Sequence, residues 1–247
     1  MVELVAASYG QRFARLGLPL DPAGDPEGSY DTIARVIAAY ERSAELNPFD
    51  SKYDFYLAGQ AELTPLERQG LELFEGKALC RECHPSQPGP DGEPPLFTDF
   101  TYDNLGVPRN PDLPFYRMPA EFNPDGEAYV DPGLGGFLAT HPVWSHLAAA
   151  NHGKHKVPTL RNIDARPDPD FVKVYMHNGV FKSLAEVVNF YNTRDVGDWP
   201  PAEVAENVNV EELGDLKLTA EEEAAVVAFM KTLTDGFDPE TGNYPTP

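Results

Sequence analysis

The stretch Cys80-Arg81-Glu82-Cys83-His84 contains the only two cysteines of this 247-residue chain, and a histidine directly follows the second of them. Residues three and four apart share one face of a helical turn, so both thiols and the imidazole can address a single planar ligand. Cys-x-x-Cys-His is the attachment signature of a c-type haem. The pattern therefore predicts that Cys80 and Cys83 form thioethers with one haem and that His84 is its proximal iron ligand.

Two other kinds of site use the same residue types. A Cys-x-x-Cys pair can be redox-active, and a zinc site can combine two cysteines with a distant histidine. The sequence has no further cysteine for a four-sulfur zinc site. The completeness of the five-residue pattern favours the haem.

The composition opposes some classes of partner. The chain has 40 acidic and 19 basic residues and a formal net charge of −21, which opposes binding to nucleic acid or to an anionic membrane surface. This charge suits a basic redox partner protein, and it equally suits a solvated surface without such a partner. The 25 prolines and 20 glycines predict long, ordered loops. A large apolar cofactor can organise loops of this kind.

The sequence shows neither a membrane span nor a signal peptide. No run approaches 18 apolar residues, and Met1-Val2-Glu3 leads directly into a mixed amphipathic segment. Because c-type haem is attached outside the cytoplasm in bacteria, we expect a periplasmic location. The chain is then a processed form or a fragment.

The apolar pattern predicts a mainly α fold. Apolar residues recur at helical spacing from 31 to about 46, and the Asn47-Pro48 step is expected to end that helix. Residues 1–18 carry apolar side chains without a firm period, so the pattern favours a helix there only weakly, and 51–59 read as an aromatic connection. Proline, glycine and aspartate dominate 85–132, which predicts a long loop around the cofactor.

Three capping boxes predict the starts of further helices, at Thr64, Ser183 and Thr219. The first of these helices leads into the haem motif, and we expect the third to pack across it. The second helix places four side chains on one inward stripe: Leu184, Val187, Val188 and Tyr191. Together these elements predict a cytochrome c-type helical domain around one covalent haem, with long Pro/Gly-rich loops.

Six blocks of the sequence occur in a fixed order: Leu63-Thr64-Pro65 through His84, Phe97-Thr98-Asp99-Phe100, Asn104-Leu105-Gly106-Val107-Pro108, Lys156-Val157-Pro158-Thr159-Leu160-Arg161-Asn162, Tyr175-Met176-His177-Asn178-Gly179, and Ser183 through Tyr191. In this order they resemble the bacterial dihaem cytochrome c peroxidases, and within them the MauG-like branch. The blocks cover roughly residues 60 to 235, and their shared order makes the resemblance specific.

The resemblance is to the C-terminal half of such enzymes. A family member carries two Cys-x-x-Cys-His sites, whereas this chain has one. The resemblance implies that residues 1–60 are a helical connector following a missing N-terminal haem domain, and that residues 61–247 form a cytochrome c-like haem domain. In the family, peroxide reacts at the N-terminal haem, and the C-terminal haem transfers electrons.

The resemblance also implies a distal iron ligand. Classical members place a methionine opposite the proximal histidine. MauG-like members place a tyrosine there, sixteen residues beyond the tyrosine of the Tyr-Met-His block. In this chain that position is Tyr191. Met176 is the main alternative, followed by Met118 and Met230. A thioether favours ferrous iron and a phenolate favours ferric and higher states. The choice decides whether the haem is a high-potential relay or a partner in storing oxidising equivalents.

Other residues are weaker candidates. Arg161 resembles the family's haem-propionate contact, with a plain surface arginine as the alternative. Family members often bind calcium between their halves, but the usual Thr-x-Pro is Val172-Lys173-Val174 here. Calcium is therefore possible but not favoured. The family's histidine before Asn-Leu-Gly is Asp103 here.

Several aromatic and polar residues have both a functional and a structural interpretation. His177 and Asn178 either line the haem pocket or shape a turn. Four histidines could reach a metal or be solvated on a loop: His141, His146, His152 and His155. Trp144 and Trp199 could relay electrons or simply pack.

These features predict part of an oxidoreductase, in which this haem relays electrons to or from a peroxide-reacting haem. Its partners would be a redox protein or a second haem domain, with hydrogen peroxide as a possible substrate of the whole. With both axial positions of the iron filled, the isolated chain should be a weak peroxidase. One alternative is a stand-alone monohaem cytochrome c that carries electrons without catalysis. Another is an enzyme in its own right, in which Tyr191 leaves the iron.

Overall fold

The computed structural model describes residues 1–168 and 170–244, and the chain divides into two units. The first unit is Met1–Phe49, and the second begins at Asp50. This division groups residues 50–60 with the unit that carries the haem motif, whereas the sequence analysis places them in the connector.

The described residues are mainly helical. The α-helices are α1 (Val2–Arg15), α2 (Pro26–Glu41), α3 (Lys52–Leu57), α4 (Pro65–Glu75), α5 (Gly133–Thr140), α6 (Leu184–Thr193) and α7 (Ala220–Lys231). Two-residue strands, β1 (Tyr102–Asp103) and β2 (His155–Lys156), form one antiparallel pair. Within the described ranges, none of these helices combines the length and the apolar character that a membrane crossing requires.

In the first unit, α2 begins and ends earlier than its apolar pattern predicts. Asp25 caps the helix by accepting a hydrogen bond from the Gly28 backbone N–H at 2.9 Å, and a proline occupies the first turn. The helix ends at Glu41, before the Asn47-Pro48 step. There the Asn47 amide donates to the carbonyl oxygens of Glu41 and Ser43, which holds the chain in a turn.

The second unit opens with a short helix that the sequence analysis reads as a connection. Ser51 and Asp54 form a capping box that starts α3. Tyr53 is 1% exposed, and its backbone N–H donates to the Thr232 carbonyl oxygen at 3.1 Å. The aromatic residues of this stretch therefore belong to the core.

The predicted crossing of α4 and α7 is confirmed. Both helices start with complete capping boxes, at Thr64 and Thr219. They cross so closely at Gly70 that a Cβ there would overlap the carbonyl group of Ala225. Glycine is therefore required at this crossing for steric reasons. The crossing sets the position of Phe74, which is fully buried one turn later.

The predicted capping box at Ser183 is wrong in one part. Ser183 Oγ accepts a hydrogen bond from the Glu186 backbone N–H at 3.2 Å, as a cap should. The Glu186 carboxylate, however, accepts from the backbone N–H of Lys182 at 2.8 Å and from the Ser183 hydroxyl. The reciprocal bond to the Ser183 backbone N–H is absent from the contacts of this cap.

The predicted long loop of 85–132 is held by side chains that bond distant backbone. Thr98 Oγ1 donates to the Val157 carbonyl oxygen at 2.7 Å. The buried Asn104 amide donates to the Val204 carbonyl oxygen at 3.0 Å. These bonds satisfy backbone groups that lie outside regular secondary structure. They order the loop around one side of the core.

We expect Gly70→Ala to destabilise the haem-loaded protein by about 1–3 kcal/mol, because overpacking forces α4 away from α7. The comparison is Gln69→Ala, on the exposed neighbouring position of the same helix, which should change stability by less than about 0.5 kcal/mol. Urea unfolding followed by circular dichroism measures both. Equal stabilities for the two variants would contradict the close crossing.

Candidate haem site

The haem motif follows α4 after a sharp reversal of the chain. The Ala78 backbone N–H donates to the Leu73 carbonyl oxygen at 2.8 Å, and Leu79 adopts a left-handed conformation with φ of 55°. A 3₁₀ turn spans Cys80–Glu82, and the His84 backbone N–H donates to the Cys80 carbonyl oxygen at 2.9 Å. The motif thus forms one compact turn, and both cysteines and His84 line the same cavity.

The His84 imidazole is held in one tautomer. Its Nδ1 lies 2.7 Å from the Phe97 carbonyl oxygen. A carbonyl oxygen only accepts, so Nδ1 carries the proton and the Nε2 lone pair is free for a metal ion. Burial lowers the pKa of His84, which favours the neutral form that a metal ligand requires.

The Phe97 carbonyl is positioned by an aromatic cluster. The Phe97 backbone has φ of 51°, an uncommon conformation for this residue type. Its ring is fully buried, with centroids 5.6 Å from Tyr53 and 6.1 Å from Phe74. Phe229 of α7 lies 5.1 Å from Phe74 in the same cluster. The crossing of α4 and α7 therefore supports the hydrogen bond that orients His84.

The two thiols do not have the electrostatics of a reactive redox pair. Burial raises the pKa of Cys80 to about 12. Burial, followed by the carboxylates of Glu212 and Asp103, raises the pKa of Cys83 to about 12. Redox-active cysteines need thiolates, which positive surroundings stabilise. Neutral thiols facing a cavity fit covalent attachment of a cofactor better.

A possible ion cluster next to the motif includes only one of its thiols. Cys83, Asp103 and Glu212 bring their ligand atoms within 4.8 Å of one another. Neither Cys80 nor His84 belongs to this group. The described residues thus do not bring the whole motif together as a zinc site.

The cavity has a volume of about 420 Å³, within the range of roughly 300–1,000 Å³ that is usual for cofactor pockets. Its lining is mainly apolar and is shared with the hydrophobic core; the shared residues include Phe74, Val107, Leu160, Leu184, Val188, Leu218, Val226 and Met230. All four residues of the predicted α6 stripe line it. An apolar cavity that presents two thiols and an imidazole fits a covalently bound haem.

Three of the four predicted distal candidates line the cavity: Tyr191, Met176 and Met230. Met118 is 43% exposed and is not part of the lining. Burial raises the pKa of the Tyr191 hydroxyl. Tyr191 is half-buried, and within residues 1–168 and 170–244 no group forms a hydrogen bond with its hydroxyl. An unpartnered phenol facing the cavity fits an iron ligand.

Met176 reaches the cavity from a different kind of element. Its backbone adopts a left-handed conformation with φ of 68° in the turn that precedes Gly179. The Tyr175 backbone N–H donates to the Phe181 carbonyl oxygen at 2.9 Å and closes this turn. Met176 is therefore presented by a loop, whereas Tyr191 is presented by a helix.

Arg161 is engaged away from the cavity. Its guanidinium pairs with Asp54 and, at 3.3 Å, with Asp235, and it donates to the Pro95 carbonyl oxygen at 3.1 Å. The side chain is 8% exposed, and Arg161 is not part of the cavity lining, although its neighbour Leu160 is. In this structure Arg161 joins α3 to the segment after α7.

The remaining histidines fall into two groups, those that line the cavity and those that do not. His155 and His177 line the cavity with their rings stacked, centroids 3.8 Å apart and 9° between planes. The buried Asn178 amide donates to the Pro108 carbonyl oxygen at 2.8 Å, which shapes the adjacent loop. His141, His146 and His152 do not line the cavity.

The tryptophans make packing contacts. Trp199 lies edge-on to Phe190 with centroids 5.2 Å apart, and its indole N–H donates to Thr193 Oγ1 at 3.0 Å. Trp144 is 45% exposed and stacks on His141 at 4.0 Å.

Two groups at the site could not be identified from the sequence. The Phe97 carbonyl is a backbone atom, so only the block Phe97-Thr98-Asp99-Phe100 hinted at it. Lys173 lines the cavity, but as a single lysine outside any helix it carries no pattern that sequence reasoning could use.

No family model matches the chain. Among curated proteins, MauG of Paracoccus denitrificans (strain Pd 1222) is 37% identical over 224 residues, which cover 85% of this chain and 53% of MauG. Cytochrome-c peroxidase IdrP1 of Denitromonas iodatirespirans is 30% identical over 210 residues, which cover 81% of this chain and 48% of that protein. The chain thus spans about half the length of the curated relatives it matches.

Solved structures give a consistent result. The dihaem peroxidase BthA of Burkholderia thailandensis E264 matches with a TM-score of 0.66 and 31% identity, over 90% of this chain and 57% of BthA. A tyrosine-to-methionine variant of BthA matches with a TM-score of 0.70 and 32% identity, over 90% of this chain and 54% of that chain. The chain therefore belongs to the family of MauG-like proteins and dihaem cytochrome c peroxidases.

Proposed function

We propose that this chain is the electron-transfer haem domain of a periplasmic oxidoreductase of this family. It passes electrons between an external redox partner and a peroxide-reacting haem on a second domain, to which residues 1–60 connect it. The observation that carries the proposal is the apolar cavity that presents Cys80, Cys83, His84 and the unpartnered Tyr191 hydroxyl together. The single motif in a chain about half as long as its relatives supports the assignment to one of two haem domains.

The chain's own residues have distinct tasks in holding this haem. Cys80 and Cys83 form the thioethers, and His84 binds the iron through Nε2 while Nδ1 stays bonded to the Phe97 carbonyl. When bound, the haem supplies one-electron exchange. The apolar lining excludes water from its faces, which limits the reorganisation that accompanies a change of charge.

Tyr191 is the distal ligand that the structure supports best. Helix α6 presents it, and its hydroxyl has no hydrogen-bond partner among the described residues. Burial raises its pKa, so the phenolate needs a neighbouring cation, and ferric iron supplies one. A hard anionic ligand then favours the ferric state and lowers the reduction potential. The Met176 thioether would have the opposite effect.

If His84 and Tyr191 both hold the iron, they would leave no coordination position for peroxide. The domain therefore relays electrons and does not itself activate peroxide. The second candidate function is a stand-alone monohaem electron carrier, which the single haem motif also allows. An upstream Cys-x-x-Cys-His in the same reading frame favours the two-domain enzyme, and its absence favours the carrier.

Expression in a host that attaches c-type haem should give a protein with a Soret band and one covalent haem per chain. Cys80→Ala and Cys83→Ala should each retain one thioether, and the double variant should lose the covalent haem. Mass spectrometry of the denatured proteins measures this. A colourless wild-type protein, or one that binds zinc instead, would refute the proposed function.

Tyr191→Phe keeps the ring and removes the ligand atom, so we expect a changed electron paramagnetic resonance spectrum and a higher midpoint potential. Tyr175→Phe is the matched control, since Tyr175 also lines the cavity but its hydroxyl donates to the Ile163 carbonyl oxygen at 3.4 Å. If Tyr191→Phe leaves the ligand field unchanged while Met176→Leu alters it, the distal ligand is the methionine.

Hydrogen peroxide should react slowly with the isolated wild-type chain in the presence of a reducing dye. Tyr191→Phe should react faster, because it opens a coordination position on the iron. Stopped-flow absorbance in the Soret region gives both rates. A wild-type rate as high as that of the variant would show that the domain is an enzyme in its own right.

A further inference from the structure

Lys173 is a half-buried cation that forms no ion pair with any carboxylate of the described residues. It lines the apolar cavity, and burial lowers its pKa. Its ammonium donates to the carbonyl oxygens of Asn162 at 2.9 Å and Ala165 at 3.0 Å. An ammonium group has three donors, so one remains. No described carboxylate forms an ion pair with Lys173, in a chain with 40 acidic residues.

The nearby acidic group is already committed to other cations. Asp164 pairs with Arg166 at 3.1 Å and approaches Lys231 Nζ at 3.9 Å. A partly desolvated cation without a carboxylate ion pair is stabilised when an anion compensates it. The arrangement therefore points to an anionic ligand that enters from the cavity.

The contacts at the two ends of α7 involve different neighbours of the cavity. Lys77, just before the haem motif, pairs with Glu222 in the first turn of α7. At the other end, Lys231 is the last residue of α7, and its Nζ approaches Asp164. Asp164 is followed by Ala165, whose carbonyl oxygen accepts a hydrogen bond from Lys173. A helix of 12 residues is about 18 Å long. The cavity between these ends is lined by Val226 and Met230 of the same helix.

Haem has two carboxylates, on the edge opposite to the vinyl groups that form thioethers. A haem attached at Cys80 and Cys83 therefore directs its carboxylate edge away from the thiol end of the cavity. Lys173 lies at that far end. We propose that the Lys173 ammonium binds a haem carboxylate and neutralises its charge. This inference rests on the proposed function, since it requires the covalent haem.

Other cations are less suited to this task. Arg161 is bonded to Asp54 and Asp235 outside the cavity lining. Lys156 also lines the cavity, but it belongs to strand β2, which pairs with β1. In β1, Asp103 Oδ2 lies 4.0 Å from Cys83 Sγ. Lys156 is therefore near the thiol end. Lys173 combines cavity lining, the far end and a free donor.

Lys173→Gln and Lys173→Met remove the charge in the haem-loaded full chain, and Lys173→Arg retains it. We expect both neutral variants to shift the haem carboxylate bending band in resonance Raman spectra and to lower the midpoint potential, because an uncompensated carboxylate favours ferric iron. Lys173→Arg should stay close to wild type in both measurements. The matched control is Lys231→Gln, which removes a 57%-exposed lysine at the same end of α7 and should leave the carboxylate band unchanged.

A purely structural role for Lys173 gives a different result. If Lys173 only ties the Asn162 and Ala165 carbonyls, the neutral variants lower the melting temperature but leave the carboxylate band and the potential unchanged, which overturns the proposal. If neither neutral variant accumulates, the Lys173→Arg band decides, and a band displaced from wild type overturns the proposal. A wild-type chain without covalent haem is instead a failure of the proposed function.

Discussion

The hydrophobic core surrounds an apolar cavity, and the stability of the fold depends on filling that cavity. The core cluster and the cavity lining share residues, among them Phe74, Val188, Val226 and Met230. At about 24 cal/mol per Å³, a dry void of this size would cost on the order of 10 kcal/mol, which is comparable to the whole stability of a typical domain. A large apolar cofactor removes that cost, so in this chain holding the haem and forming the core are one requirement.

The proximal side of the site is fixed by a chain of contacts that begins far from any ligand atom. Gly70 lets α4 approach α7, the crossing brings Phe74 against Phe229, and this cluster holds Phe97. The Phe97 carbonyl then sets the tautomer of His84. With the proposed thioethers and the fixed imidazole in place, the distal residue would be the main variable of the iron's ligand field. The structure offers a helical tyrosine and a loop methionine for that position.

The sequence predicted the parts of this site that have a local pattern. The haem motif, the capped starts of α4 and α7, and the α6 stripe ending at Tyr191 each follow from spacing, and the structure confirms the helices. The end of α2 could not be predicted from the sequence, because it depends on hydrogen bonds from the Asn47 amide to backbone carbonyl oxygens. Contacts made by backbone atoms or by isolated residues, such as the Phe97 carbonyl, depend on tertiary structure and leave no periodic signal.

Two cations near the cavity, Arg161 and Lys173, differ in the groups that they bind within the protein. Arginine has a planar, bidentate donor set that suits carboxylates, and in this acidic chain Arg161 finds two of them, Asp54 and Asp235. Its affinity for carboxylates is thus satisfied within the protein. Among the described residues, Lys173 donates to two neutral carbonyls and forms no ion pair, although Asp164 nearby favours its charged form. The cation without an ion pair in this part of the chain is the one available to the cofactor.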